Sequence, residues 1–357
     1  MSTLFVTHPA CEHHTTGAGH PERPQRLQAV RRAVESCGLE GALQWDEQPP
    51  EVDAELLERV HRRAYVDVVE GLARAGGGWL DADTPVGPQS ARAARLAAGA
   101  AQRAVEVLLA GLARRAFVAV RPPGHHAGPD RGMGFCLFNN AAVAAAAARR
   151  AGRERVLVVD WDVHHGNGTQ AVFWRDPSVL VVSLHQEYWY PGTGAMEELG
   201  EGPGEGATVN LPLPAQTGDG GYTDAMTELV LPLAAAFRPE FVIVSAGYDA
   251  HFADPLGGMV VTTAGFGRLA RLADEAARAA DAPLLAILEG GYHLDALAAS
   301  VVATLEALTG RPADPAAWRE PAPADLGARR PGREVPASAI GARLRAIRRL
   351  LLNYWRL

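Results

Sequence analysis

The twelve histidines of this 357-residue chain include three adjacent pairs, His13-His14, His125-His126 and His164-His165. Two of these pairs stand directly after runs that read as β-strands. One run continues as Val158-Val-Asp160-Trp-Asp162-Val-His164-His165. Extended backbone would put Asp160, Asp162 and His164 on one face at period two, presenting two carboxylates and an imidazole to one point. A second run ends Ser245-Ala-Gly-Tyr-Asp249 and delivers another carboxylate to the same edge of the sheet. Carboxylates gathered away from water are costly unless a cation or proton offsets them. An Asp/His/Asp set with an open position suits catalytic zinc or a similar divalent ion, whereas structural zinc closes its shell with a fourth protein ligand.

A third run ends Arg121-Pro-Pro-Gly-His125-His126, where two prolines and a glycine make a rigid turn at the strand tip. Paired imidazoles there suit general acid/base work, each oriented through its other ring nitrogen; Asp160 and Asn167 are the available orienters. His13-His14 lies in a polar Thr/Gly loop and reads as a surface pair without chemistry. Gly166-Asn-Gly-Thr-Gln-Ala171 matches a dinucleotide fingerprint, with Glu187 as a ribose ligand about 20 residues on. A pyrophosphate placed there would meet Asp160 and Asp162 with no nearby cation in sequence, so a dehydrogenase ranks below the metal site. No P-loop, G-x-S-x-G or H-E-x-x-H motif is present.

The elements that must position these residues alternate. Strands are expected at 4–7, 116–121, 155–160, 179–184, 208–211, 241–245 and 284–288, several of them apolar without alternation, as in strands covered on both faces. Helices are expected at 24–37, 88–114, 139–151, 222–236, 262–280 and 294–308. The pattern implies a three-layer α/β fold with a central, mostly parallel sheet flanked by helices, whose ligands sit beyond the carboxyl ends of the strands. Residues 1–310 read as one catalytic domain. Residues 311–357 read as a Pro/Ala-rich connection followed by an amphipathic helix carrying Ile340, Leu344, Ile347, Leu351 and Tyr354. With five arginines and no acid between them, that helix is expected to dock on its own domain or on a neighbouring copy in a homo-oligomer rather than on a membrane or nucleic acid.

Composition narrows the classes further. A net charge of −7 argues against a general nucleic-acid surface, and no apolar run reaches the length of a membrane span. Three cysteines without a C-x-x-C pair fit a reducing compartment, and the first ten residues lack a secretory pattern, so a cytoplasmic location is expected.

Taken together, the motifs resemble the histone deacetylase superfamily on the arginase-like α/β fold. The likeness rests on Arg121–Ala127, Gly134–Asn140, Val159–Gly168, Ser183-Leu-His185, Tyr190–Gly194, Ser245–Asp249, Asp254–Gly258 and Glu289-Gly-Gly-Tyr292, in family order. It implies zinc, or ferrous iron, on Asp162, His164 and Asp249, with His125 and His126 as tandem catalytic histidines. His126 is expected as main base and acid, and His125 as electrostatic support held by Asp160. Tyr292 would donate its phenol to the scissile carbonyl. The resemblance also implies structural potassium at Asp160, Ser183 and Leu184 with the backbone of Asp162 and His164. It makes Gly134, Phe135 and Tyr190 the walls of an acyl-lysine tunnel, and Asp83 a rim carboxylate.

Asn167 and Trp161 resemble class II and bacterial members. Leu256 stands where polyamine-selective relatives place a Glu, which favours acetyl-lysine of a protein or peptide as substrate, while Pro9-Ala-Cys-Glu12 is similar to the loop insert of polyamine enzymes and keeps acetylated amines as the alternative. A two-metal ureohydrolase lacks its extra Asp ligands here. A silent binding module would not require His125, His126 and Tyr292 together. All 34 basic residues are Arg, so the chain offers no lysine side chain for acylation, and its acidic balance suits a basic peptide or amine.

Overall fold

Runs such as Val242-Ile-Val244 can bury both faces of a strand. In the computed structural model, which describes residues 2–314, 320–321 and 334–357, that run lies inside an eight-stranded sheet. The chain contributes β1 (Thr3–Thr7), β2 (Leu43–Asp46), β3 (Gly78–Asp81), β4 (Thr84–Val86), β5 (Arg115–Ala119), β6 (Val156–Asp160), β7 (Val179–Gln186), β8 (Thr208–Leu213), β9 (Phe241–Ala246) and β10 (Leu284–Leu288). The main sheet runs β2-β1-β5-β10-β9-β6-β7-β8 with parallel pairing throughout, while β3 and β4 form a separate antiparallel hairpin. The helices are α1 (Gln25–Ser36), α2 (Ala54–Glu58), α3 (Arg63–Arg74), α4 (Ser90–Leu109), α5 (Asn140–Arg150), α6 (Asn167–Phe173), α7 (Asp219–Ala225), α8 (Leu231–Phe237), α9 (Thr263–Ala279), α10 (Leu294–Thr309) and α11 (Ala337–Leu351). Helices α1, α9 and α10 pack side by side, as do α4 and α5, and both groups touch the sheet. Every residue of β5, β6, β9 and β10 is buried, as a parallel sheet covered on both faces requires.

This topology decides where the chemistry falls. The four central strands, β5, β10, β9 and β6, stand side by side, and their carboxyl ends run respectively into His125-His126, Tyr292, Asp249 and the Asp160–His164 segment. Residues far apart in the chain therefore meet at one sheet edge, where ligands of parallel α/β folds bind.

The structure departs from the sequence reading in several places. Ladder pairing of the strand read at 116–121 ends at Ala119, before Pro122, which has no N–H to donate. The single helix read at 222–236 begins at Asp219 and contains a π-helical stretch, Met226–Val230, between α7 and α8. No element was expected between Cys37 and Pro88, yet β2, α2, α3 and the β3/β4 hairpin lie there. His14, read as a surface residue, is buried beside Glu22 and hydrogen-bonds Ser90 Oγ at 2.7 Å. Most of the expected connection between Gly310 and Pro336 lies outside the described residues. Beyond it, α11 buries Ile340, Leu344, Ile347 and Leu351 against α7 and β8, which is the docking on its own domain that was one of the two expected outcomes. Among the described residues no helix is long and apolar enough to cross a membrane.

Candidate active site

Asp162, His164 and Asp249 leave the ends of β6 and β9 buried, with ligand atoms within 4.8 Å of one another. Backbone amides aim the carboxylates: Asp162 accepts from His164 N and Gly290 N, both at 2.9 Å, and Asp249 accepts from Val163 N at 2.9 Å. His164 Nδ1 stands 3.0 Å from Asp162 Oδ1 and 3.1 Å from Asp249 Oδ2. Burial opposes charge on that imidazole, but hydrogen bonds to the two carboxylates outweigh it and push His164 up to about 10. Asp249 is raised by burial and by repulsion from Asp162, while Asp162 is lowered because His125 and His164 overcome its burial. Such a set demands positive charge, and two carboxylate oxygens with one imidazole nitrogen suit zinc or ferrous iron. Gly290 is required at this point, because a Cβ there would run into Asp249 Oδ2 and sit 2.6 Å from Asp162 Oδ2.

The two histidines after β5 sit in different environments. His125 Nδ1 is 2.9 Å from Asp160 Oδ2, and Nε2 is 3.8 Å from Asp162 Oδ1. Burial lowers its basicity, but Asp162 and Asp160 more than reverse this, and His125 is held well above its ordinary value. His126 Nδ1 lies 2.7 Å from the Asn167 carbonyl oxygen, which only accepts, so the ring nitrogen carries the proton and Nε2 keeps its lone pair. Burial first, then the charges of His125 and His164, lower His126 well below its ordinary value and keep it neutral. One imidazolium and one neutral base thus lie side by side, ring centroids 4.0 Å apart.

Tyr292 follows β10 and has its backbone N–H 2.6 Å from Asp254 Oδ2, which also accepts from His293 N at 3.2 Å. The Arg26 guanidinium lies 4.9 Å from the centre of its ring. Burial, opposed by Arg26, keeps the phenol protonated well above its ordinary value, so it is a hydrogen-bond donor. Arg26 also donates to Gly291 O at 2.6 Å and Glu289 O at 2.5 Å, and it shares the buried Glu22 carboxylate with Arg121, whose Nε and Nη2 donate to it at 2.5 and 2.6 Å.

All five residues expected to touch substrate, Asp83, Gly134, Phe135, Tyr190 and Leu256, line a cavity of about 240 Å³ that also exposes His126, His164 and Tyr292. Gly134 and Phe135 both have positive φ, 55° and 69°, and a Cβ on Gly134 would collide with the His126 ring. Tyr190 stands edge-on to His126, centroids 5.2 Å apart. The Pro9–Glu12 segment is not part of this lining. Asp160 pairs in register with Ser183 on β7, with Leu184 next in the strand. His165, by contrast, turns to Thr193 at 2.7 Å and Gln170 at 3.0 Å and stays out of the metal group. In the dinucleotide alternative, the first amides of α6 would have to face phosphate; instead Gly168 N and Thr169 N donate to His125 O, and Glu187 pairs with Arg343.

Sequence reading missed Trp189, which lines the cavity and donates from Nε1 to Leu256 O at 2.9 Å. It also missed Asp254 beneath Tyr292, and Glu289, whose Oε2 accepts from Gly124 N at 2.6 Å and His125 N at 3.1 Å. Both acids lie inside motif segments, which was the available signal. Glu22, just before α1, and Arg26, in its first turn, are four residues apart, a spacing that suggests a local ion pair but does not announce a partner at Arg121.

A profile of the histone deacetylase domain matches residues 20–308. Histone deacetylase 15 of Arabidopsis thaliana is 44% identical over 295 residues, 82% of this chain, though the match spans only about half (53%) of that relative. A histone deacetylase-like amidohydrolase of Pseudomonas aeruginosa is 43% identical over 82% of this chain and 78% of its own length. A probable deacetylase of Archaeoglobus fulgidus is 39% identical over 90% and 89% respectively. The crystal structure of the HDA15 HD domain superposes with a TM-score of 0.88 at 38% identity, covering 99% of this chain and 95% of that one. With a matching domain that takes in all four central strand ends, the chain belongs to the histone deacetylase family.

Proposed function

We propose that this protein hydrolyses the amide of N6-acetyl-lysine in proteins or peptides, using a zinc ion, or ferrous iron, held by Asp162, His164 and Asp249. The observation that carries the reading is the meeting, in one cavity of about 240 Å³, of neutral His126, the protonated phenol of Tyr292 and His164 of the buried Asp/His/Asp group. The ion, when bound, polarises the amide carbonyl and acidifies water.

The remaining work falls to side chains. His126 Nε2 takes the proton of the attacking water, its tautomer held by Asn167. Tyr292 donates its hydroxyl hydrogen to the oxygen that gains charge as the carbonyl becomes tetrahedral. His125, charged and held by Asp160, stabilises that negative charge and resists moving its own proton. His126, now protonated, returns its proton to the leaving amine. We assign potassium to Asp160, Ser183 and Leu184 with the backbone of Asp162 and His164, where it offsets a carboxylate that burial raises against the pull of His125. The aromatic walls suit an aliphatic acyl-lysine stem, with Asp83 at the rim as acceptor for substrate backbone N–H groups. Apolar Leu256 offers no partner to a second ammonium, which favours acetyl-lysine over acetylated polyamines.

The test is acetate release by the zinc-loaded protein from an N6-acetyl-lysine peptide and from acetylated polyamines in parallel. Faster turnover of the peptide supports the reading, preference for polyamines replaces its substrate, and turnover of neither leaves a metal-binding module.

A further inference from the structure

The histone deacetylase profile ends at residue 308, yet α11 begins at Ala337 and reaches the neighbourhood of the active-site mouth. Its apolar face is buried, and the residues after it are pinned: Tyr354 donates to Glu205 at 2.7 Å and Trp355 Nε1 to Gly206 O at 2.8 Å. From this anchored helix Arg343 forms an ion pair with Glu187.

Glu187 opens the turn that walls the cavity. Its N–H donates to Leu213 O at 2.9 Å, at the end of β8. Next comes Tyr188, a non-glycine residue at φ 54° that is 94% exposed, so the turn gains little from packing there. Trp189 and Tyr190 follow and face the cavity. Behind the turn lies a second cavity, of about 410 Å³, which Glu187, Tyr188, Gly192 and Arg343 all line. A turn with strained backbone and open space behind it depends on its ties, among them Glu187 N to Leu213 O, Gly192 N to Trp189 O, Trp189 Nε1 to Leu256 O and Glu187 to Arg343, the last reaching it from α11.

We propose that α11 braces the active-site rim: Arg343, acting through Glu187, positions the Tyr188–Tyr190 turn and so sets how tightly the acylated substrate is held. Arg343 touches neither the cavity of the reacting groups nor the Asp162/His164/Asp249 group, which makes it a positioning residue for substrate specificity. The inference rests on the proposed amide hydrolysis for its kinetic half only.

The experiment uses the full chain with R343A and R343K, reading KM and kcat on an N6-acetyl-lysine peptide and amide hydrogen exchange across residues 187–194. A partly buried ion pair of this kind predicts a rise in KM of about three- to tenfold for R343A, with kcat within about twofold. Exchange at 187–194 should quicken in R343A, and R343K should stay near the parent in both readouts. Unchanged KM in an enzyme that turns over overturns the proposal, as does a raised KM without faster exchange in that segment. If the parent protein turns over no amide, the proposed reaction fails, and the brace is then judged on exchange alone: quickened in R343A it stands, unchanged it falls.

Discussion

Replacing Asn167 by Ala removes the acceptor of the His126 Nδ1–H bond, 2.7 Å long, in a site where the imidazole is almost fully buried. The exposed consequence is a buried donor without a partner and a base whose lone pair is no longer confined to Nε2. Leaving such a donor unpaired costs about 1–3 kcal/mol. Because the bond orients the base in the transition state more than it binds substrate, the cost falls on kcat, a loss of about 10- to 100-fold with KM nearly unchanged. Asn167→Asp sharpens the test. A carboxylate keeps the tautomer but raises the basicity of His126, so the acid limb of the activity profile moves to higher pH than in the parent. The assay is steady-state deacetylation of an acetyl-lysine peptide across pH, with bound zinc measured in each variant. A metal-loaded Asn167→Ala protein that keeps kcat within about twofold refutes the assignment of His126 as the oriented base.

Three other outcomes follow from the same geometry. Tyr292→Phe should lower kcat by about 100- to 1,000-fold while leaving metal content at the parent level, since only the donor to the developing oxyanion is lost. Gly290→Ala places a methyl group against Asp162 and Asp249 and should abolish stoichiometric zinc binding, measured by metal analysis of the folded protein; normal zinc content would contradict the ligand assignment. His61 donates from Nδ1 to Gly128 O at 2.8 Å and accepts Asn139 N–H on Nε2 at 2.9 Å, and burial lowers it to about 4. The unfolded state, titrating near 6.5, then binds more protons than the native state between pH 6.5 and 4, so stability falls as pH falls through that window, by about 2 kcal/mol at pH 5 relative to pH 7 from this residue. Denaturant unfolding of the parent and of His61→Gln at both pH values should show a smaller acid loss in the variant, and equal losses would refute the titration.

What could be read from the residues and what could not divides along physical lines. Strands buried on both faces are continuous apolar runs, and the reacting groups of a parallel sheet follow them directly, so β5, β6, β9 and β10 and their His125, Asp162 and Asp249 ends were legible together. The β3/β4 hairpin was not, because Gly78-Trp-Leu-Asp81 and Thr84-Pro-Val86 are short and broken by the residues that usually mark loops. The buried Glu22 network was invisible for another reason: Arg121 lies 99 residues from its partner, and nothing local distinguishes that pair from solvated charges. Trp189 stands in an aromatic run, Tyr188-Trp-Tyr190, whose members diverge between solvent and cavity only because the chain turns with positive φ at Tyr188.

The central claim is that Asp162, His164 and Asp249 hold one catalytic dication. The measurement that meets it most directly is acetate release from an N6-acetyl-lysine peptide by protein of known zinc content, before chelation, after chelation, and after zinc is returned. The account predicts turnover proportional to zinc up to one ion per chain, lost on chelation and restored on addition. Undiminished turnover by the zinc-free protein would contradict it.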